Sequence, residues 1–134
     1  MKLLPLVAVI FLGVLAGCSI MNPKADLANL GDSKWTLISI NQTPVNLNNA
    51  FVQFDEKESK ISGVAACNRF NAGYEMIRNN IKFESIITTK MFCEELMDEE
   101  NQIITNLQNV TRYEVKANML YFYGHDHLLL TYKR

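Results

Sequence analysis

ISGVAACNRFNAGYE, residues 61–75, decides how this chain is read. The Cys67 thiol stands between the small residues Gly63, Ala65 and Ala66 and the polar pair Asn68 and Arg69, with Phe70 next. A cysteine beside Asn and Arg fits three chemistries: a nucleophile, a metal ligand, or half of a disulfide. Lys60–Ala66 reads as a strand in which Gly63 allows a bulge or the close approach of another backbone. Asn adopts turn conformations readily and caps local backbone groups. Asn68 and Arg69 therefore read as scaffold for the turn that positions Cys67, with Arg69 pairing with an acid from the loop before a helix.

The other cysteines bear on the choice. Residues 1–17 carry Lys2 and then an apolar run, Leu3–Leu15. That run is shorter than the roughly 20 residues a membrane-spanning helix needs, and it fits a secretory signal. It ends in Leu15-Ala16-Gly17-Cys18, which resembles the lipobox of bacterial lipoproteins. On this reading residues 1–17 are a cleaved signal peptide, and Cys18 becomes the lipid-bearing (palmitate-carrying) N-terminus of the mature chain. Removing Lys2 leaves 12 basic against 14 acidic residues, so no basic excess points to nucleic acid. With Cys18 assigned to lipid, Cys67 and Cys93 remain. In an exported protein a lone pair of cysteines is usually bridged.

Residues 18–33 read as the lipidated cysteine and a flexible tether, rich in Asn, Pro, Asp and Gly. From residue 34 to residue 134 the pattern is mostly period two, as in KWTLISI, AFVQF, IKFESII, MLYFYG and HLLLTYK. One segment breaks the rhythm. In residues 94–110 the apolar positions Leu96, Met97, Ile103, Ile104, Leu107 and Val110 follow a helical period, and five acids cluster near its start, where the helix dipole favours negative charge. The expected fold is α+β: a curved, partly barrel-like antiparallel sheet of about seven strands, with one amphipathic helix packed against it.

Trp35-Thr36-Leu37 opening the domain, residues 61–75, TTKMFC at Thr88–Cys93 with Thr88, Met91 and Cys93 as its spaced positions, the amphipathic helix, and the closing LLLTYK together resemble the META domain family. More narrowly they resemble its HslJ-type heat-shock lipoproteins of Gram-negative bacteria. The resemblance covers residues 34–134. It implies an α+β fold with a curved antiparallel sheet and a role linked to heat shock, envelope stress and antibiotic tolerance. It supplies no catalytic site.

A nucleophilic Cys67 would need a base within reach. The histidines, His125 and His127, lie in or beside the turn before the last strand, and nothing in sequence brings them to either thiol. Zinc would need four ligands, and the His-x-His spacing is not that of a finger. GHDH at residues 124–127 reads as a polar hairpin turn, and the acidic helix start as a solvated helix end. The aromatics Phe51, Phe54, Phe83, Tyr121, Phe122 and Tyr123 read as half core. The expectation is a protein without enzymatic activity, metal or cofactor: Cys18 as lipid anchor, Cys67 and Cys93 as a disulfide, and Trp35, Gly63, Asn68, Arg69, Phe70, Thr88 and Met91 as motif scaffold. It would be a monomer held at the inner leaflet of the outer membrane, facing the periplasm, since Ser19 follows the lipidated cysteine. Its partner would be an envelope protein or a small hydrophobic ligand. A thiol-redox role for Cys67 and Cys93 stays open.

Overall fold

Alternation of apolar and polar residues sets the architecture, because each strand buries one face and solvates the other. The computed structural model describes residues 30–31 and 33–134. Within them the chain forms β1 (Trp35–Ile40), β2 (Thr43–Pro44), β3 (Phe51–Asp55), β4 (Lys60–Val64), β5 (Arg69–Ile77) and β6 (Asn80–Thr88). A 3₁₀ turn at Glu94–Leu96 leads into α1 (Met97–Asn109), and β7 (Arg112–Lys116), β8 (Met119–Gly124) and β9 (His127–Lys133) follow. The expected α+β class with one helix is what the chain adopts. The sheet has nine strands rather than about seven. One of them, β2, is a two-residue pairing inside the Asn- and Pro-rich stretch after β1.

Every pairing is antiparallel, in the order β2-β1-β3-β4-β5-β6-β7-β8-β9, and β1 also pairs with β9. The sheet thus curls into a ring. It is not a true barrel, because β6 and β7 share a single register pair, Asn80↔Arg112. Two flanking backbone bonds support that seam: Ile81 N–H to Thr111 O at 3.1 Å and Tyr113 N–H to Asn79 O at 2.9 Å.

The ring interior is filled by side chains. Phe122 sits at its centre, edge-to-face with Phe54, Phe83 and Tyr132 at centroid distances of 6.4, 5.3 and 5.7 Å. Such pairs add about 0.5–1.5 kcal/mol each beyond area burial. In β1 the alternation is interrupted. A register shift between Leu37 and Ser39 reverses the parity, so Trp35, Leu37 and Ile40 are the buried residues and Ser39 is not. Gly63 is required by close approach: a Cβ there would stand 2.0 Å from the Phe51 carbonyl oxygen on β3.

The helix buries Glu100, Ile103, Asn106 and Leu107. The Asn106 amide donates to Asn41 Oδ1 at 3.0 Å and to Leu129 O at 3.3 Å, fixing α1 to the β1–β2 turn and to β9. Its N-terminal half is held at the β4–β5 corner, described below, so α1 closes that end of the ring. Burying Ile103 and Leu107 contributes about 1.5–3 kcal/mol each. Leu30, in the stretch read as tether, is fully buried and accepts a hydrogen bond from the Trp35 indole N–H at 3.1 Å. The end of that stretch therefore packs on the fold. The signal peptide, Cys18 and the remainder of the tether lie outside the described residues. Among the described residues no helix is long and apolar enough to cross a membrane.

Candidate functional site

The β4–β5 corner, residues 65–68, meets the first turn of α1 at Glu100. Ala65 and Ala66 are buried, and the Ala65 N–H closes the corner on Asn68 O at 3.0 Å. Three successive backbone N–H groups then point at one carboxylate. Ala66, Cys67 and Asn68 donate to Glu100 Oε2 at 3.3, 2.8 and 2.8 Å. This is an anion-binding nest, occupied by the chain's own acid. The Asn68 amide nitrogen donates to Glu100 Oε1 at 2.6 Å.

Asn68 is itself saturated. Its Nδ2 also donates to Met91 O at 2.9 Å, and its Oδ1 accepts from the Thr89 hydroxyl and the Met91 N–H, both at 2.7 Å. Both donors and both acceptor lone pairs of the amide have partners. Next to this pair, the Cys67 and Cys93 sulfurs stand at disulfide-bonding distance across a Cα separation of 6.0 Å. The corner, the β6–α1 loop and the helix are thus tied together in one place.

Glu100 is buried, and burial alone would raise its pKa. The hydrogen bonds from Asn68, Cys67 and Ala66 outweigh that and hold the carboxyl below its ordinary value. Each of those bonds stabilises the charged form. The carboxylate at this corner is therefore an ionised structural acceptor. It is not a proton donor at neutral pH.

The structure distributes the remaining motif residues as follows. Trp35 and Phe70 are core. Met91 contributes through its backbone, and its side chain is exposed. The threonine that bonds Asn68 is Thr89. Thr88 pairs with Phe70 in the sheet. Arg69 is bonded through its backbone to Thr89, and among the described residues no acid pairs with its side chain. His125 and His127 are exposed on the β8–β9 turn. There His125 N–H donates to Thr111 Oγ1, beyond the C-terminal end of α1, whereas the cysteines are bound at its N-terminal half. Among the described residues no three His, Cys, Asp or Glu side chains converge as metal ligands. An open groove of about 360 Å³ beside the β6–β7 seam is lined by Glu75, Ile77, Lys82, Val110 and Thr111, among others.

Glu100 and Thr89 are the residues that sequence reasoning missed. Glu100 reads as one of five solvated acids at a helix start. Its signal was positional: it falls on the stripe of Leu96, Ile103 and Leu107, at steps of four, three and four.

The META domain family model matches residues 28–134. Among solved structures, an NMR structure of a protein is 25% identical with a TM-score of 0.63, covering 85% of this chain and 95% of that one. An NMR structure of a protein from Burkholderia xenovorans is 18% identical with a TM-score of 0.62, covering 100% of this chain and 98% of that one. A crystal structure of a DUF4847 family protein from Bacteroides vulgatus is 10% identical with a TM-score of 0.63, covering 78% and 94%. No curated protein matches the chain.

Proposed function

The chain belongs to the META domain family, and from that premise we propose that it is a non-enzymatic, lipid-anchored envelope protein that binds or stabilises other envelope components. The observation that carries this reading is the Leu15-Ala16-Gly17-Cys18 sequence, a short distance ahead of a META domain beginning at residue 28. Cys18 carries the lipid, and Ser19 directs the chain to the outer membrane, with the domain in the periplasm. Within the family the kinship is with the HslJ-type lipoproteins, and the role is in tolerance of heat, envelope stress and antibiotics.

Two features of the molecule support a binding role over chemistry. The polar groups of Asn68 and Glu100 are engaged with each other and with backbone, and the ring interior is filled by aromatic side chains. An oxidising compartment also suits a bridged Cys67–Cys93 pair. The test is fractionation of cells expressing the wild-type chain and Cys18→Ala, with intact-mass measurement of the product. Wild type is expected in the outer-membrane fraction with the mass of an acylated chain beginning at Cys18, and the variant in the soluble fraction. A variant still membrane-bound overturns the anchor.

A further inference from the structure

Four large hydrophobic side chains are conspicuously exposed among the described residues, and three of them fall in one short stretch: Ile87 at 63%, Met91 at 57% and Phe92 at 79% exposed. An exposed Phe on a loose loop would mean little, but this loop is held. The Thr89 N–H donates to Arg69 O at 3.0 Å, and its hydroxyl to Asn68 Oδ1 at 2.7 Å. The Met91 N–H and carbonyl are both bonded by the Asn68 amide, and Cys93 is joined to Cys67. Every second residue is pinned from below, and Met91 and Phe92 are left displayed on a rigid base. Pre-organised, exposed aromatic anchors are what binding hot spots are made of.

The charge around the patch indicates what it takes. Glu94, Glu95 and Asp98 are exposed directly after it, while Lys90 lies within the stretch, between Ile87 and Met91, and Arg69 is bonded to it through Thr89. The apolar display is thus bordered on its helix side by a carboxylate rim. We propose that Ile87, Met91 and Phe92 form the docking surface for a cationic amphipathic segment of another protein or peptide. The apolar face of that segment would cover Phe92 and Met91, and its Lys or Arg side chains would meet Glu94, Glu95 and Asp98. Complementary rims of this kind steer encounter and set specificity. The inference deepens the binding role proposed above and does not depend on the lipid anchor.

The test is co-sedimentation of a synthetic Leu/Lys amphipathic helical peptide with the full chain reconstituted in neutral phosphatidylcholine vesicles, with empty vesicles as blank. A Leu/Glu peptide of the same pattern is the control. Saturable binding of the cationic peptide is expected, weakened by salt, and by about tenfold or more in Phe92→Ser. It should also be weakened in the double variant Glu94→Lys, Glu95→Lys. All the substituted side chains are exposed, and near-UV circular dichroism identical to wild type verifies the fold. Equal binding of the Leu/Glu peptide, or wild-type affinity in both variants, overturns the proposal. So does self-association of the chain that Phe92→Ser abolishes while the cationic peptide fails to bind. Flotation of the vesicles before peptide is added reports the anchor separately. A chain that does not float but binds the peptide in solution removes the anchor and leaves the docking surface standing.

Discussion

Asn68 and Glu100 are 32 residues apart in the chain, and their side chains meet at 2.6 Å in the interior. The pair joins the turn between β4 and β5 to the first turn of α1, which follows only after β5, β6 and a loop. Glu100 satisfies three corner N–H groups that strand pairing cannot reach. Asn68 replaces a strand partner for Met91, bonding both its N–H and its carbonyl. The two residues make a sheet corner, a loop and a helix into one rigid unit.

Removing the acceptor should therefore be costly. In Glu100→Ala three backbone donors and the Asn68 amide lose a partner in a buried site, and a loss of about 2–4 kcal/mol is expected. Glu100→Gln keeps the shape but gives up the charge and offers a donor where donors already converge, for a loss of about 1–3 kcal/mol. Urea unfolding of both variants measures this. A loss below about 0.5 kcal/mol in Glu100→Ala would refute the role given to the nest.

The same contact makes stability depend on acid. Burial raises the Glu100 pKa, but the bonds from Asn68, Cys67 and Ala66 hold the folded value below the ordinary one, about 4.3 when unfolded. The folded state thus binds its proton less readily than the unfolded state. The contribution is fully present above the unfolded pKa and is lost as pH falls through the folded one. Glu114 is depressed too, chiefly by its bond to Lys116, but that cluster lies at the surface where screening reduces its effect. Stability followed by urea unfolding from pH 7 to pH 3 should fall for wild type and fall less steeply for Glu100→Gln. Parallel curves would contradict the assignment.

How much of this was legible follows from the physics of each signal. Period-two runs located nearly every strand because burial of one face acts residue by residue. The two-residue β2 left no trace, since it has no face to bury. The bulge after Leu37 was hidden because Ile38 and Ile40 are as apolar as Leu37. Gly63 was readable as a close approach, and the close approach to Phe51 is there. Glu100 was obscured by its neighbours: four other acids at the helix start gave it a dipole explanation. Only its alignment with Ile103 and Leu107 marked it as inward. Thr88 and Thr89 are identical in sequence, and which of them faces Asn68 is decided by the register of β6.

The Cys67–Cys93 link and the Glu100 nest hold the same corner, so they should act together. By the chain-entropy model a bridge over a separation of 26 residues stabilises by roughly 3.5 kcal/mol. Non-reducing mass spectrometry is expected to find no alkylatable Cys67 or Cys93. With reductant, urea unfolding should lose stability by roughly that amount while the protein stays folded, because Glu100 and Asn68 still tie α1 to the corner. The cost of Glu100→Ala should be larger in the reduced protein than in the oxidised one, by about 0.5 kcal/mol or more, the coupling expected of groups in contact. Equal costs would mean the two ties are independent.

Tyr113 gives the opposite kind of prediction. It is buried on β7, and among the described residues its hydroxyl has no hydrogen-bond partner. Burial, then the Glu56 carboxylate and the Tyr74 hydroxyl nearby, push its pKa up to about 12, so it stays neutral. A buried donor without a partner carries a desolvation cost of about 1–3 kcal/mol, and the ring of Tyr113 alone fills its part of the core. Tyr113→Phe removes the cost and keeps the packing. The variant should be as stable as wild type or more stable by up to about 1 kcal/mol, read as a higher urea midpoint at unchanged slope. Tyr132→Phe is a suitable control, since that residue is also buried, packed edge-to-face on Phe122. A loss of stability in Tyr113→Phe would mean that a bound water or ligand answers the hydroxyl, and would redirect the search for a binding site to the Tyr74, Tyr113 and Glu56 end of the ring.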